Sequence, residues 1–162
     1  MDTIAKDHII APPSAVSRRM ARTRGRDNPF EREVRSRLHA LGFRFRIHHP
    51  LPGMPRRTAD IAFPGRRLAI FLDGCFWHGC PVHATHPRTN AGFWQAKLRA
   101  NRDRDADTDA RLRAAGWTVL RYWEHEGPVT IVAAIAGARV ALGWQKGLRA
   151  REPPHRSPPP VV

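Results

Sequence analysis

The run Leu68 to Leu72, inside the segment RRLAIFLD, is apolar at every position and stops abruptly at Asp73 and Gly74. A continuous apolar run of that length is consistent with a strand buried within a sheet. The segments around it fall in the order αβββαβα. FEREVRSRLHALGF places Phe30, Val34, Leu38 and Leu41 at helical spacing, with Gly42 as a stop. FRFRI alternates apolar and basic residues, and TADIAF reads as a short strand following the turn-rich LPGMPRRT. The segment GCFWHGCPVHATHPRTN is too rich in Gly, Pro, Cys and His to be regular. AGFWQAKLRANRDRDADTDARLRAAG reads as a long polar helix ending at Gly116, WTVLRYW as a fourth strand, and Val129 to Leu142 as a last helix, apolar on more than one face. This order fits a small α/β core without internal repeats.

A chain of 162 residues suits one core better than two. The working domain is expected over residues 17–147. Residues 1–16 are mixed and proline-broken, and residues 148–162 are proline-rich, so both ends are expected to be disordered. The start, MDTIAKDHIIAPPSAV, lacks the continuous apolar segment of a signal peptide. No stretch approaches the roughly 18 apolar residues of a spanning helix. With two cysteines set among histidines rather than in a disulfide framework, a cytoplasmic protein acting away from membranes is expected.

Charge narrows the partner. Lys and Arg number 28 against 14 Asp and Glu, a formal charge of +14, which points to a polyanion. The cations are nearly all Arg, whose planar fork pairs with phosphate and guanine edges, so nucleic acid outranks a membrane surface. The arm SRRMARTRGRDN, carrying Arg18, Arg19, Arg22 and Arg24, reads as a DNA-binding segment that orders on its partner.

Four groups of residues can carry chemistry. Asp60 lies in the strand TADIAF and Asp73 ends the next one. If those strands pair, both carboxylates emerge at one sheet end, where oxygen ligands hold Mg²⁺ against a phosphate; a strand start and a turn opening would give the same spacing. Cys75, Cys80 and His83 supply three candidate zinc ligands in one short loop, and His125 in WEHE closes a tetrahedron from a distance, with His86 a rival. Phe76 and Trp77 lie inside that loop and Trp94 opens the next helix; apolar rings wedged between base steps unstack and kink DNA. Being consecutive, Phe76 and Trp77 are expected not to share one core. His78 is either a further zinc candidate or a base near the carboxylates, and Asp105 could orient it. Asp103, Asp107 and Asp109 are expected on a solvated helix face. His8, His39, His48, His49 and His155 carry no spacing signal.

Taken in order, SRRMARTRGRDNPFE, LGFRFRIHHPLPG, FLDGCFWHGCPVH, TNAGFWQAKLRANRDRD and AAGWTVLRYWEHE resemble the bacterial very short patch repair endonucleases over residues 17–126. The resemblance implies a restriction-endonuclease-like core of the PD-(D/E)XK type, with a mixed central sheet flanked by helices and a zinc-binding loop. It implies Mg²⁺-dependent nicking of double-stranded DNA 5′ to the thymine of a T:G mismatch, the product of 5-methylcytosine deamination. The enzyme would be a monomer with a functional link to a cytosine-5 DNA methyltransferase.

By the same resemblance Asp60 is the main metal-binding carboxylate and Leu72 offers the metal a backbone carbonyl. His78 is the general base, with Asp105 its orienting partner. Glu31 matches an acidic position near the metal's water shell, with Glu33 the alternative register, and Phe76, Trp77 and Trp94 match intercalating aromatics. The sequence departs from the family pattern in three places. TAD replaces a shorter Pro-Asp pair and follows an extra RRT; Asp73 stands where some members carry histidine, as a second metal ligand or a hydrogen-bond partner; and His83 and His86 compete for zinc. Two rival readings remain: a zinc-clamped DNA-binding module without an active site, and a restriction nuclease cutting both strands of paired DNA.

Overall fold

The computed structural model describes residues 28–83 and 90–144. The arm with Arg18, Arg19, Arg22 and Arg24, the expected tails, His8, His155 and His86 lie outside the described residues. The observed order is the expected one: α1 (Pro29–Ala40), β1 (Arg46–Leu51), β2 (Met54–Phe63), β3 (Leu68–Asp73), α2 (Ala91–Ala114), β4 (Thr118–Trp123) and α3 (Pro128–Ala141). The four strands form one mixed sheet in the order β1-β2-β3-β4. β1 and β3 are both antiparallel to β2, whereas β4 runs parallel to β3. A parallel pair needs a long crossover, which α2 provides. Among the described residues no helix is long and apolar enough to cross a membrane.

α1 begins where Asn28 accepts from the Glu31 amide (2.8 Å) and donates back to the Glu31 carboxylate (2.9 Å), with Pro29 in the first turn. The first bond satisfies one amide that the helix itself leaves unpaired, and the second, between side chains, holds the cap in place. Val34 and Leu38 are buried and Phe30 packs against them, but Leu41 is 52 % exposed. Leu41 lies past the last helical residue, so it leaves the apolar stripe that its spacing predicted.

β1 starts three residues later than FRFRI suggests. Phe43 and half-buried Phe45 fill the core before the strand begins, and HHPL extends it. β2 reaches back to Met54, through residues expected as turn, because Leu51 pairs with Met54, while Pro55 to Arg57 fall within a shift of register. Only Pro52 and Gly53, the latter at φ +68°, are left to reverse the chain. The extra residues enter as a register shift: Pro50 pairs with Thr58, yet Leu51 pairs with Met54. The pairing of His49 with Ala59 and Ile47 with Ile61 stays in step, so Asp60 lies in regular register beyond the shift.

The expected apolar strand is the fully buried β3. Leu68, Ile70 and Leu72 join Ile61 and Phe63 in packing against Val34 and Leu38 of α1 and Ile131, Val132 and Ile135 of α3. Ala69 and Phe71 face the other way, toward Leu112 of α2, Val119 and Trp117. Strand alternation continues to the end of β3 and delivers Asp73 to the α2 side of the sheet.

Candidate active site and Cys/His cluster

A cleft of about 390 Å³ opens at the end of β3, between the sheet, the start of α1, the middle of α2 and the loop after β3. Its lining includes Glu31, Asp60, Leu72, Asp73, His78 and Asp105. These are the acidic, basic and backbone positions singled out in the sequence, drawn together from five segments of chain. Glu33 instead pairs with Arg37 at 2.8 Å on the exposed side of α1, so Glu31 is the acid that reaches the cleft.

β2 and β3 pair through Ile61 and Ile70. Beyond that point the Leu72 amide donates to Asp60 Oδ2 at 2.8 Å, so a side chain replaces a ladder acceptor. Burial pushes the Asp60 carboxyl up to about 6; the Leu72 amide opposes this, the charges of Glu31 and Asp73 add to it, and His48 opposes it. His48 carried no sequence signal, yet it occupies the β1 position facing Asp60, between two paired neighbours, with a left-handed φ of 47°.

His78 Nδ1 lies 2.6 Å from Asp105 Oδ2 and 3.6 Å from Asp73 Oδ1. Burial disfavours the imidazolium, but the Asp105 hydrogen bond and the two carboxylate charges outweigh burial and raise the His78 pKa above its ordinary value. Asp73 accepts from Arg121 Nη1 at 2.9 Å on both oxygens; burial nonetheless raises its pKa, against His78 and Arg121.

Arg121 escaped the sequence reading. The available signal was one cation in an otherwise apolar strand, TVLRYW. Its guanidinium stacks 4.3 Å over the Phe71 ring and also binds Asp109 at 2.9 Å. Asp109 is thus not on a solvated face: its side chain is only 13 % exposed. Asp107 and Asp103 keep the expected solvated face: the Asp107 side chain is 41 % exposed and pairs with Arg111 one turn on at 3.0 Å, with Arg57 also reaching it at 2.6 Å, and Asp103 is exposed. α2 crosses the sheet with the Asp109 face inward, which its charge run conceals.

Behind the cleft, one ligand atom each from Cys75, Cys80, His83 and His125 lies within 4.8 Å of all the others. Cys75 Sγ and Cys80 Sγ are 3.1 Å and 3.5 Å from His125 Nδ1, and Cys80 Sγ is 4.0 Å from His83 Nδ1. Bonds of about 2.0–2.3 Å to a tetrahedral centre separate ligand atoms by roughly 3.3–3.8 Å, so the set fits such an ion. The loop is folded for it: the Cys80 amide donates to the Cys75 carbonyl, the His83 amide to Cys80 Sγ, and the Cys75 amide to Glu124. Gly79 turns the chain at φ +67°. Burial, together with Cys80 and Glu124, holds the Cys75 thiol above its ordinary pKa, against the hydrogen bond with His125.

The aromatics differ from expectation. Phe76 and Trp77 pack edge to face at 5.1 Å and both meet Trp94, at 5.5 Å and 6.0 Å, so the consecutive rings do share one cluster. They are half-buried, whereas Trp94 is 5 % exposed. Asn101 of α2 donates to the Trp77 carbonyl at 2.9 Å and ties this loop down.

A mixed sheet with a carboxylate cleft at the end of adjacent strands fits the restriction-endonuclease-like class, whose activity the relatives and not the fold alone identify. The family model described as DNA mismatch endonuclease Vsr matches residues 10–84. The type II nicking enzyme V.NaeI of Lentzea aerocolonigenes is 43 % identical over 122 residues, covering 74 % of this chain and 73 % of that protein. V.XorIIP of Xanthomonas oryzae is 44 % identical over 110 residues, 66 % of this chain and 77 % of the relative. The DNA mismatch endonuclease Vsr of Escherichia coli is 36 % identical over 111 residues, 67 % and 68 % of the two chains. The chain belongs to the Vsr family and is an endodeoxyribonuclease.

Proposed function

We propose that the protein is a Mg²⁺-dependent endonuclease that nicks duplex DNA 5′ to the thymine of a T:G mismatch and so initiates repair of deaminated 5-methylcytosine. The observation that carries the reading is the 2.6 Å contact between His78 Nδ1 and Asp105, in the cleft that also holds Asp60. With its Nδ1 proton donated to that carboxylate, the imidazole keeps the Nε2 lone pair for a water. His78 is then the general base and Asp105 its orienting partner, a device that contributes on the order of 10²- to 10⁴-fold.

Asp60, the backbone of Leu72 and the nearby Glu31 form an oxygen-rich donor set suited to a hard divalent cation, and would hold Mg²⁺. When bound, that ion supplies charge neutralisation at the scissile phosphate. Arg56 and Arg104 are exposed at the cleft and offset phosphate charge. The set of Cys75, Cys80, His83 and His125 suits a closed, structural Zn²⁺ that stiffens the loop bearing His78.

Phe76 and Trp77 are the rings that enter the duplex, and buried Trp94 props them instead of intercalating itself. A mismatched step costs less to unstack than a paired one, which favours the T:G site energetically. The enzyme acts as a cytoplasmic monomer, on lesions that arise where a cytosine-5 methyltransferase has worked.

The test is nicking of a labelled duplex carrying one T:G mismatch beside its T:A control, with Mg²⁺ or EDTA, by wild type and Asp60→Ala. Strand-selective, Mg²⁺-dependent cutting of the mismatch alone, lost in the variant, is the expected result. Equal cutting of both duplexes, or binding without cutting, overturns it.

A further inference from the structure

Three carboxylates from two elements meet one guanidinium behind the proposed base. Asp73 ends β3, and Asp105 and Asp109 lie one helical turn apart on α2. Arg121, from β4, donates Nη1 to both oxygens of Asp73 at 2.9 Å. Its other edge takes Asp109, at 3.0 Å from Nε and 2.9 Å from Nη2. The same Nη2 lies 3.6 Å from the Asp105 carboxylate and 3.5 Å from the Asp105 carbonyl. Phe71 lies under the plane of the fork. A planar group with donors along two edges can hold acids on β3 and α2 at once, whereas an ammonium on a flexible stem cannot reproduce that spacing.

This arrangement decides where Asp105 sits. α2 is drawn against the end of β3 with Asp105 at 2.6 Å from His78 Nδ1, and Asp73 is kept behind it at 3.6 Å. The two acids would otherwise repel each other across the imidazole. We infer that Arg121, locked by Asp73 and Asp109, is a positioning residue for nicking: it holds the Asp105 carboxylate on His78, and Asp73 serves as its anchor. The inference rests on the proposed role of His78 as base.

The experiment compares wild type with Arg121→Lys, His78→Ala and the double variant, on the T:G duplex with Mg²⁺. Readouts are the single-turnover nicking rate and, with EDTA, the affinity for the intact duplex. Melting curves check folding. A carboxylate misplaced by about 1 Å costs up to roughly 10²-fold, so Arg121→Lys is expected to slow nicking by about 10- to 100-fold with affinity within about 2-fold. In the His78→Ala background the same change is expected to do nothing further, because it acts through that imidazole. Wild-type rates in Arg121→Lys, a parallel loss of affinity, or an additive loss in the double variant overturn the inference.

If His78→Ala nicks at the wild-type rate, the base assignment itself fails and this inference with it. If only Arg121→Lys does so, the base assignment stands. Should Arg121→Lys not fold, Arg121→Met with Asp73→Asn removes one charge of each sign and replaces it throughout, with the same expectations.

Discussion

The Cys/His cluster and the carboxylate cleft share a loop but are built differently. Three of the cluster's side chains, Cys75, Cys80 and His83, come from nine consecutive residues, and only His125 arrives from elsewhere. The cleft takes Glu31 from α1, Asp60 from β2, Asp73 from β3, His78 from the loop and Asp105 from α2. A locally encoded cluster stiffens its own segment. A dispersed site depends on every packing contact that brings its elements together, and it stores unfavourable charge: Asp60 is held near a pKa of 6 by burial beside two other acids.

The sharpest way to break the comparison is Asp60→Asn. Nicking is expected to fall by at least about 10³-fold, since the metal-binding charge is gone. Stability in EDTA is expected to move the opposite way. A carboxyl raised from 3.8 to about 6 gives stability that is present below pH 3.8 and lost as pH rises through 6, a cost on the order of 3 kcal/mol at neutral pH. The amide side chain can still accept from Leu72, so Asp60→Asn should melt higher than wild type at pH 7.5. A lower melting temperature would mean that the site stores no such charge.

The cluster should behave in the contrary sense. Cys80→Ser, at a position with no exposed surface, or removal of metal with a strong chelator, is expected to lower the melting temperature by roughly 10 °C and to reduce nicking with it. Identical melting curves before and after chelation would show that the cluster holds no structural ion.

The aromatic loop between the two regions separates packing from function. Trp94→Ala is expected to cost about 3–5 kcal/mol, as for a buried ring. Phe76→Ala should cost roughly 1 kcal/mol while narrowing the difference in affinity between T:G and T:A duplexes. Equal stability losses would place both rings in the core.

The smallest effect is on pH dependence. His78 must be neutral to accept a proton, and its pKa is raised chiefly by Asp105 against the effect of burial. The acid limb of the single-turnover rate is therefore expected above pH 6.5, with the rate rising as pH passes it. Asp105→Asn should move that limb to lower pH while lowering the plateau. A limb that stays in place would detach Asp105 from His78.

Much of this was legible in the chain. Five uninterrupted apolar residues announced β3, and the Cys-x4-Cys-x2-His spacing announced the cluster, because both are local patterns. Asp60, His78 and Asp105 stand out by residue chemistry and Glu31 through the motif resemblance alone, and the fold brings them into one cleft. Asp109 was misread as solvated because a charge run on a helix does not say which face a sheet will cover. His48 was passed over because its meaning lies in the strand opposite, where it faces Asp60. TADIAF leaves β2 four residues short, because Met54 joins the strand only through its pairing with Leu51, across a register shift that takes up Pro55 to Arg57.

Sequence by itself determined the elements, their order, the basic character and the short-range ligand set, each of which follows from periodicity, composition or spacing along the chain. Tertiary structure alone decided that Trp94 is buried against Phe76 and Trp77, that Asp73 spends both oxygens on Arg121, and that one guanidinium joins β3 to α2 behind His78. Those outcomes depend on distances between residues tens of positions apart, which are set when two sheet faces are covered and buried charges must find partners.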